Sequence, residues 1–212
     1  MLRRLLQGID FPLLGLTLLL SALGVAMIGS ATQGTKLQGL WLNQLGAIGI
    51  GLVVLIVVAA ADYRRLADRS PIMLGIIWFV LLATLALAPR IAGTRRWLSL
   101  GPVQFQPSEF AKIVAALVTA KLFSEMKKDS LGLADLVTPA AVTVVLALTI
   151  GAAPDLGTAV SLLPMFFVGA FLAGLRHKSI LILSGFLLVF GVVSWEFLLR
   201  DYQKTRIYSF LD

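Results

Sequence analysis

Residues 41–61 read WLNQLGAIGIGLVVLIVVAAA, a run without one charged side chain. The hydrocarbon core of a bilayer is roughly 30 Å thick and takes about 20 consecutive apolar residues to cross as a helix. No water is available at that depth, so a lone crossing segment must satisfy its backbone internally, which a helix does. Working outward, six further stretches share this character, near residues 11–31, 71–88, 107–124, 136–153, 155–175 and 179–199. The expected fold class is therefore all-α: a polytopic transmembrane helical bundle of seven helices, one integral membrane domain over residues 1–212. The first run is too long for a removed signal peptide and lacks a well-placed small-residue cleavage site.

Composition agrees. The chain is 58% hydrophobic and 14% charged, whereas a soluble domain carries about 45–50% and about 25%. It has no cysteine, which excludes a disulfide framework and any thiolate metal site. The single histidine, His177, lies between Arg176 and Lys178 and reads as a solvated loop residue. A net charge of +7 points to membrane lipids, and not to nucleic acid, as the anionic partner. Gly46, Gly49 and Gly51 in the second run read as positions of close helix packing.

Basic residues suggest an orientation. With the N-terminus cytoplasmic, the inner loops hold ten of them: Arg3, Arg4, Arg64, Arg65, Arg69, Lys121, Lys127, Lys128, Arg176 and Lys178. The outer loops hold seven: Lys36, Arg90, Arg95, Arg96, Arg200, Lys204 and Arg206. That bias favours the N-terminus inside. The outer positives cluster at 90–96 and 200–206, on the disfavoured side, which reads either as attraction to an anion there or as ordinary headgroup contact and pairing with local acids. Residues 89–106 are expected as an outer loop, and 200–212 as the start of a large one.

The most polar text between apolar runs is Gly93-Thr94-Arg95-Arg96-Trp97-Leu98, continuing to Gln106-Pro107-Ser108-Glu109 and Lys112. Proline suits the first turn of a helix, where its missing N–H costs nothing, and an acid there meets the positive end of the helix dipole. Lys112 follows Glu109 at i+3, on the same face. Pro154-Asp155 repeats the proline-acid start on the sixth span. Span parity places both starts at one depth, so the expectation is an intramembrane ionic network of Glu109, Lys112 and Asp155. That network has a structural reading, two helices held in register, and a functional one, a substrate pocket or proton path. An acid/base pair of Glu109 and Asp155 is a weaker third reading, since a general acid needs a raised pKa. Trp97 suits either stacking on a sugar or anchoring at the membrane interface.

These blocks resemble the SEDS family (shape, elongation, division and sporulation proteins), its elongation branch above all. The matching text is Gly93-Thr94-Arg95-Arg96-Trp97-Leu98, Phe105-Gln106-Pro107-Ser108-Glu109 with Lys112, Pro154-Asp155-Leu156-Gly157-Thr158, and Asp201-Tyr202-Gln203-Lys204 with Arg206. One departure is Ala153, where the family often has glutamine before the proline. The resemblance implies a peptidoglycan glycosyltransferase of the bacterial cytoplasmic membrane, acting in cell-wall elongation and cell shape. Its substrate would be lipid II, an undecaprenyl-pyrophosphate-linked disaccharide, and its partner a class B penicillin-binding protein. The family's bundle has ten helices, so the chain reads as its N-terminal portion. The catalytic aspartate is expected in the outer loop after the seventh helix, leaving no catalytic residue in this chain; Asp212 does not match its place. Arg95, Arg96, Trp97, Gln106, Ser108 and Arg206 are then substrate-binding or functional candidates, the arginines through bidentate contacts to pyrophosphate. A divalent cation is compatible with that leaving group, although no ligand cluster predicts one. On the residues alone, a lipid II flippase or ion-coupled transporter and a noncatalytic scaffold stay open as rival functions.

Overall fold

Among the described residues, seven α-helices follow the seven apolar runs. The computed structural model describes residues 10–90, 94–100, 103–126, 128, 130–198, 204, 205 and 208. It divides into two compact units, Met1–Tyr63 and Arg64–Asp212.

The first unit holds α1, Phe11–Thr32, and α2, Leu40–Ala60. Asp10 caps α1 by accepting the Leu13 N–H at 3.0 Å, with Pro12 just inside the helix. Gly34 takes φ 74° in the turn between them, a conformation that favours glycine. Neither helix has a buried residue. Helices apolar all round belong in an apolar solvent. A Cβ added at Gly46, Gly49 or Gly51 would meet nothing within 4 Å.

In the second unit α3 runs Tyr63–Leu87 and carries Pro71 inside it. The sequence reading began this span at residue 71. The helix instead starts two turns earlier, because the polar segment from Tyr63 to Ser70 holds good helix formers and a membrane helix tolerates an internal proline. Next come α4, Pro107–Ser124; a 3₁₀ turn, Leu133–Leu136, leading into α5, Val137–Ala152; α6, Leu156–Leu172; and α7, His177–Val193, which ends in a π turn over Ser194–Leu198.

Helix α4 is central to this unit. Its buried side chains Pro107, Ser108, Ala111, Val114, Ala115, Val118 and Thr119 recur at the three-to-four spacing of one helical face. That face packs with Ile77 and Leu81 of α3, Leu146 and Ile150 of α5, and Ala159 and Leu162 of α6. Trp78 Nε1 donates to Thr149 Oγ1 at 3.1 Å and joins α3 to α5. A second cluster of Phe123, Leu131, Leu136, Phe166, Ala170 and Leu175 closes the opposite end. There the Leu131 N–H donates to Gly174 O and the Arg176 N–H to Leu131 O, both at 3.0 Å, and Lys128 pairs with Asp135.

Among the described residues, five segments are long and apolar enough to cross a membrane: Phe11–Thr32, Leu40–Ala60, Tyr63–Leu87, Leu133–Ala152 and His177–Phe197. The remaining two of the seven expected spans are the ones at the centre of the unit. Helix α6 has 17 residues and α4 carries Glu109, Lys112 and Lys121. Helix α6 is apolar but short, and α4 is set apart by its three charges.

Candidate functional site

The loop before α4 is not featureless. Strands β1, Leu98–Leu100, and β2, Val103–Phe105, pair antiparallel with Leu98 opposite Phe105. The apolar residues at 98, 100, 103 and 105 around Gly101-Pro102 are a hairpin signal that the sequence reading passed over as outer loop. This register decides the site: it brings Arg96, two residues before Leu98, beside Gln106, one residue after Phe105. The Phe105 ring stacks on Phe110 of α4 with centroids 4.7 Å apart, which fixes the hairpin to the helix start.

Both side chains reach Asp155. Gln106 Nε2 donates to Asp155 Oδ2 at 2.9 Å, Ser108 Oγ donates to the same oxygen at 3.2 Å, and Arg96 Nη1 lies 3.4 Å from Oδ1. Gln106 Nε2 also donates to Ser108 Oγ at 3.0 Å, and Arg96 Nε to Thr94 Oγ1 at 2.9 Å. Asp155 is 6% exposed, so each bond replaces water that the carboxylate has lost. Asp155 stands at the N-cap of α6, yet its side chain caps nothing; it is turned toward the hairpin. The space beneath this cluster is about 10 Å³, room for one water at most.

The expected trio is therefore divided. Lys112 Nζ pairs with Glu109 Oε2 at 2.9 Å, and the two side chains are 29% and 51% exposed. Among the described residues no ion pair joins either to Asp155. The reason is helical geometry: at about 100° per residue, Glu109 lies roughly 160° from Ala111 and the buried face of α4. The pair instead borders an open groove with Phe110, Ile113, Ala116 and Met165. Glu109 and Lys112 thus do not tie α4 to α6; Ser108 and Gln106 do.

Arg95 takes a separate role. Its Nη1 donates to the carbonyls of Ala86 at 2.8 Å and Leu85 at 3.3 Å, covering the C-terminal end of α3 where carbonyls lack helical partners. Its Nε is buried and has no partner among the described residues. Trp97 is half-buried, and Arg206 and Asp212 lie outside the described residues. Arg90, one of the outer basic cluster at 90–96, lines a cleft with Arg95.

A family model described as cell cycle protein, covering FtsW, RodA and SpoVE, matches residues 8–212. The chain belongs to this family. Among FtsW/RodA/SpoVE relatives, the peptidoglycan glycosyltransferase MrdB of Escherichia coli K12 is 31% identical over 180 residues, covering 82% of this chain and 47% of the relative. Stage V sporulation protein E of Bacillus subtilis is 31% identical over 219 residues, covering 96% and 57%. Two solved structures have the same fold. One, from work on a peptidoglycan synthase complex that coordinates polymerization and crosslinking, matches at TM-score 0.77 with 31% identity, covering 96% of this chain and 59% of that one. The rod shape determining protein RodA of Thermus thermophilus matches at 0.70 with 30% identity, covering 85% and 59%. The chain spans about half the length of the curated relatives it matches. Family membership makes it a multi-pass helical membrane protein, as its apolar helices require.

Proposed function

We propose that the protein carrying this chain polymerises lipid II into glycan strands in the bacterial cytoplasmic membrane, with the N-terminus cytoplasmic and the Asp155 end of the bundle outside. The observation that supports this most is the convergence of Arg96, Gln106 and Ser108, from the blocks shared with the family, on the buried Asp155. A hairpin is thereby held in fixed register over the helix ends, where a lipid headgroup would lie. Relatives named peptidoglycan glycosyltransferases support the reaction class, and a relative solved within a peptidoglycan synthase complex supports a class B penicillin-binding protein as partner.

In this reading an acceptor hydroxyl bonds to the anomeric carbon of the donor, the bond from that carbon to pyrophosphate breaks, and the hydroxyl proton passes to a carboxylate outside the described residues. Asp155 is not that carboxylate: both its oxygens face protein donors, and about 10 Å³ admits no sugar. It is a positioning residue. A divalent cation enters this reading as a companion of the pyrophosphate.

The test is reconstitution of the longest reading frame containing this chain into proteoliposomes with labelled lipid II. Glycan polymer is the expected product, and polymer should fall with Asp155→Ala. Lipid II carried across the bilayer without polymer would overturn the reading in favour of a flippase. Complex formation with the transpeptidase and no turnover would favour a scaffold.

A further inference from the structure

The turn that joins α1 to α2 holds a cleft of about 360 Å³, lined by Val25, Ala26, Gly29, Gln33, Gln38 and Trp41. A volume of that size falls in the range of small-molecule sites, which combine apolar and aromatic walls with a few polar groups. Val25, Gly29 and Gln33 follow one another at i+4 along α1 and its C-cap, so one row of that helix forms a wall. Gln38 and Trp41, at the entry to α2, supply the other side. A Cβ at Gly29 would meet nothing within 4 Å, so glycine there leaves the space open. None of the lining side chains ionises. Among the described residues, the amides of Gln33 and Gln38 and the indole N–H of Trp41 make no hydrogen bond within the chain. The backbone that carries them is nevertheless fixed. Thr35 Oγ1 donates to Thr32 O at 2.8 Å and accepts the Leu37 N–H at 3.1 Å; the Gln38 N–H donates to Thr35 O at 3.2 Å. Both helices are long and apolar enough to cross a membrane, which puts the turn at the level of lipid headgroups.

We propose that this cleft binds an uncharged saccharide. Each glutamine amide offers two N–H donors and a carbonyl acceptor, which match hydroxyls that both donate and accept. The Trp41 side chain, in a residue 38% exposed, presents a flat apolar face to the C–H side of a sugar ring and a polar N–H at its edge. A phosphate or carboxylate finds no cation among the lining residues, and an apolar tail would strip water from three polar groups without answering them. A turn already fixed by its own hydrogen bonds loses little freedom on binding. The saccharide chemistry stands on the cleft alone. Its identification as the sugar of the lipid-linked substrate, or the glycan grown from it, rests on the polymerase reading.

The experiment uses the longest reading frame containing this chain in nanodiscs, as wild type, Trp41→Phe, Trp41→Leu, Gln38→Leu and Gly29→Leu. Saturation-transfer NMR reads contact with chitotetraose, an N-acetylated glycan, with maltotetraose, and with glycerol as an acyclic control. Trp41→Leu should lower transfer to the saccharide about tenfold and Gln38→Leu about threefold, while Trp41→Phe keeps most of it by retaining a ring face. Gly29→Leu keeps every polar group and fills the cleft, so it should lower transfer as far as Trp41→Leu does, at an unchanged thermal midpoint. Transfer to chitotetraose alone assigns the cleft to the acetamido glycan, and equal transfer to maltotetraose assigns it to neutral saccharides in general. Wild-type transfer no greater than that to glycerol, or full transfer retained in either Trp41→Leu or Gly29→Leu, overturns the proposal and leaves Trp41 an interfacial anchor. Trp41-dependent binding in a protein that makes no polymer would sink the polymerase reading alone.

Discussion

Helices α4 and α6 begin with nearly the same text, a proline followed closely by an acid, and the two acids end in different circumstances. Asp155 is 6% exposed and answered by three side chains from a hairpin and a neighbouring helix. The Glu109 side chain is 51% exposed and answered by one lysine on its own helix. The local signal is the same and specifies a helix start in both cases. What differs is position on the helix: Asp155 precedes the first turn and projects toward the hairpin, whereas Glu109 lies opposite the packed face of α4. A helix-start motif thus places a carboxylate near a helix end but leaves its partners to tertiary packing.

The contrast is sharpest under mutation. Asp155→Ala should destabilise the protein by about 2–4 kcal/mol, because it leaves Arg96, Gln106 and Ser108 without their acceptor. The value stays below that for a fully buried pair since the Arg96 side chain keeps 30% exposure. A drop in the unfolding midpoint of the reconstituted protein measures it, and a loss below about 0.5 kcal/mol would break the comparison. Gln106→Ala should cost about 1–2 kcal/mol by the same assay, removing the shortest of the three bonds. Lys112→Met should change stability by no more than about 0.5 kcal/mol, the scale of an exposed i,i+3 pair. If it also lowered polymer yield at unchanged midpoint, the Glu109–Lys112 pair would be acting on substrate from the open groove.

Much of the fold was legible. Seven apolar runs became seven helices, and Pro107 opens α4 as its position in the sequence requires. The start of α3 at Tyr63 was hidden because polar residues carry a helix past the apolar stretch that announces it. The hairpin was written in Leu98, Leu100, Val103 and Phe105, but a three-residue strand is a faint signal amid seven long helices. The membership of Gln106, Ser108 and Asp155 in the site was legible from the shared blocks, whereas their mutual bonds were not. Those bonds depend on hairpin register and on which face of α4 turns inward. Arg95 resisted reading for a related reason: its partners are backbone carbonyls of α3, which no side-chain pattern encodes.

The most direct measurement is a pair of double-mutant cycles in the reconstituted protein, Arg96→Ala with Asp155→Ala against Lys112→Met with Asp155→Ala. Coupling between Arg96 and Asp155 should exceed about 1 kcal/mol, and Lys112 and Asp155 should add within about 0.5 kcal/mol. Strong coupling of Lys112 to Asp155, with Arg96 independent, would contradict the account.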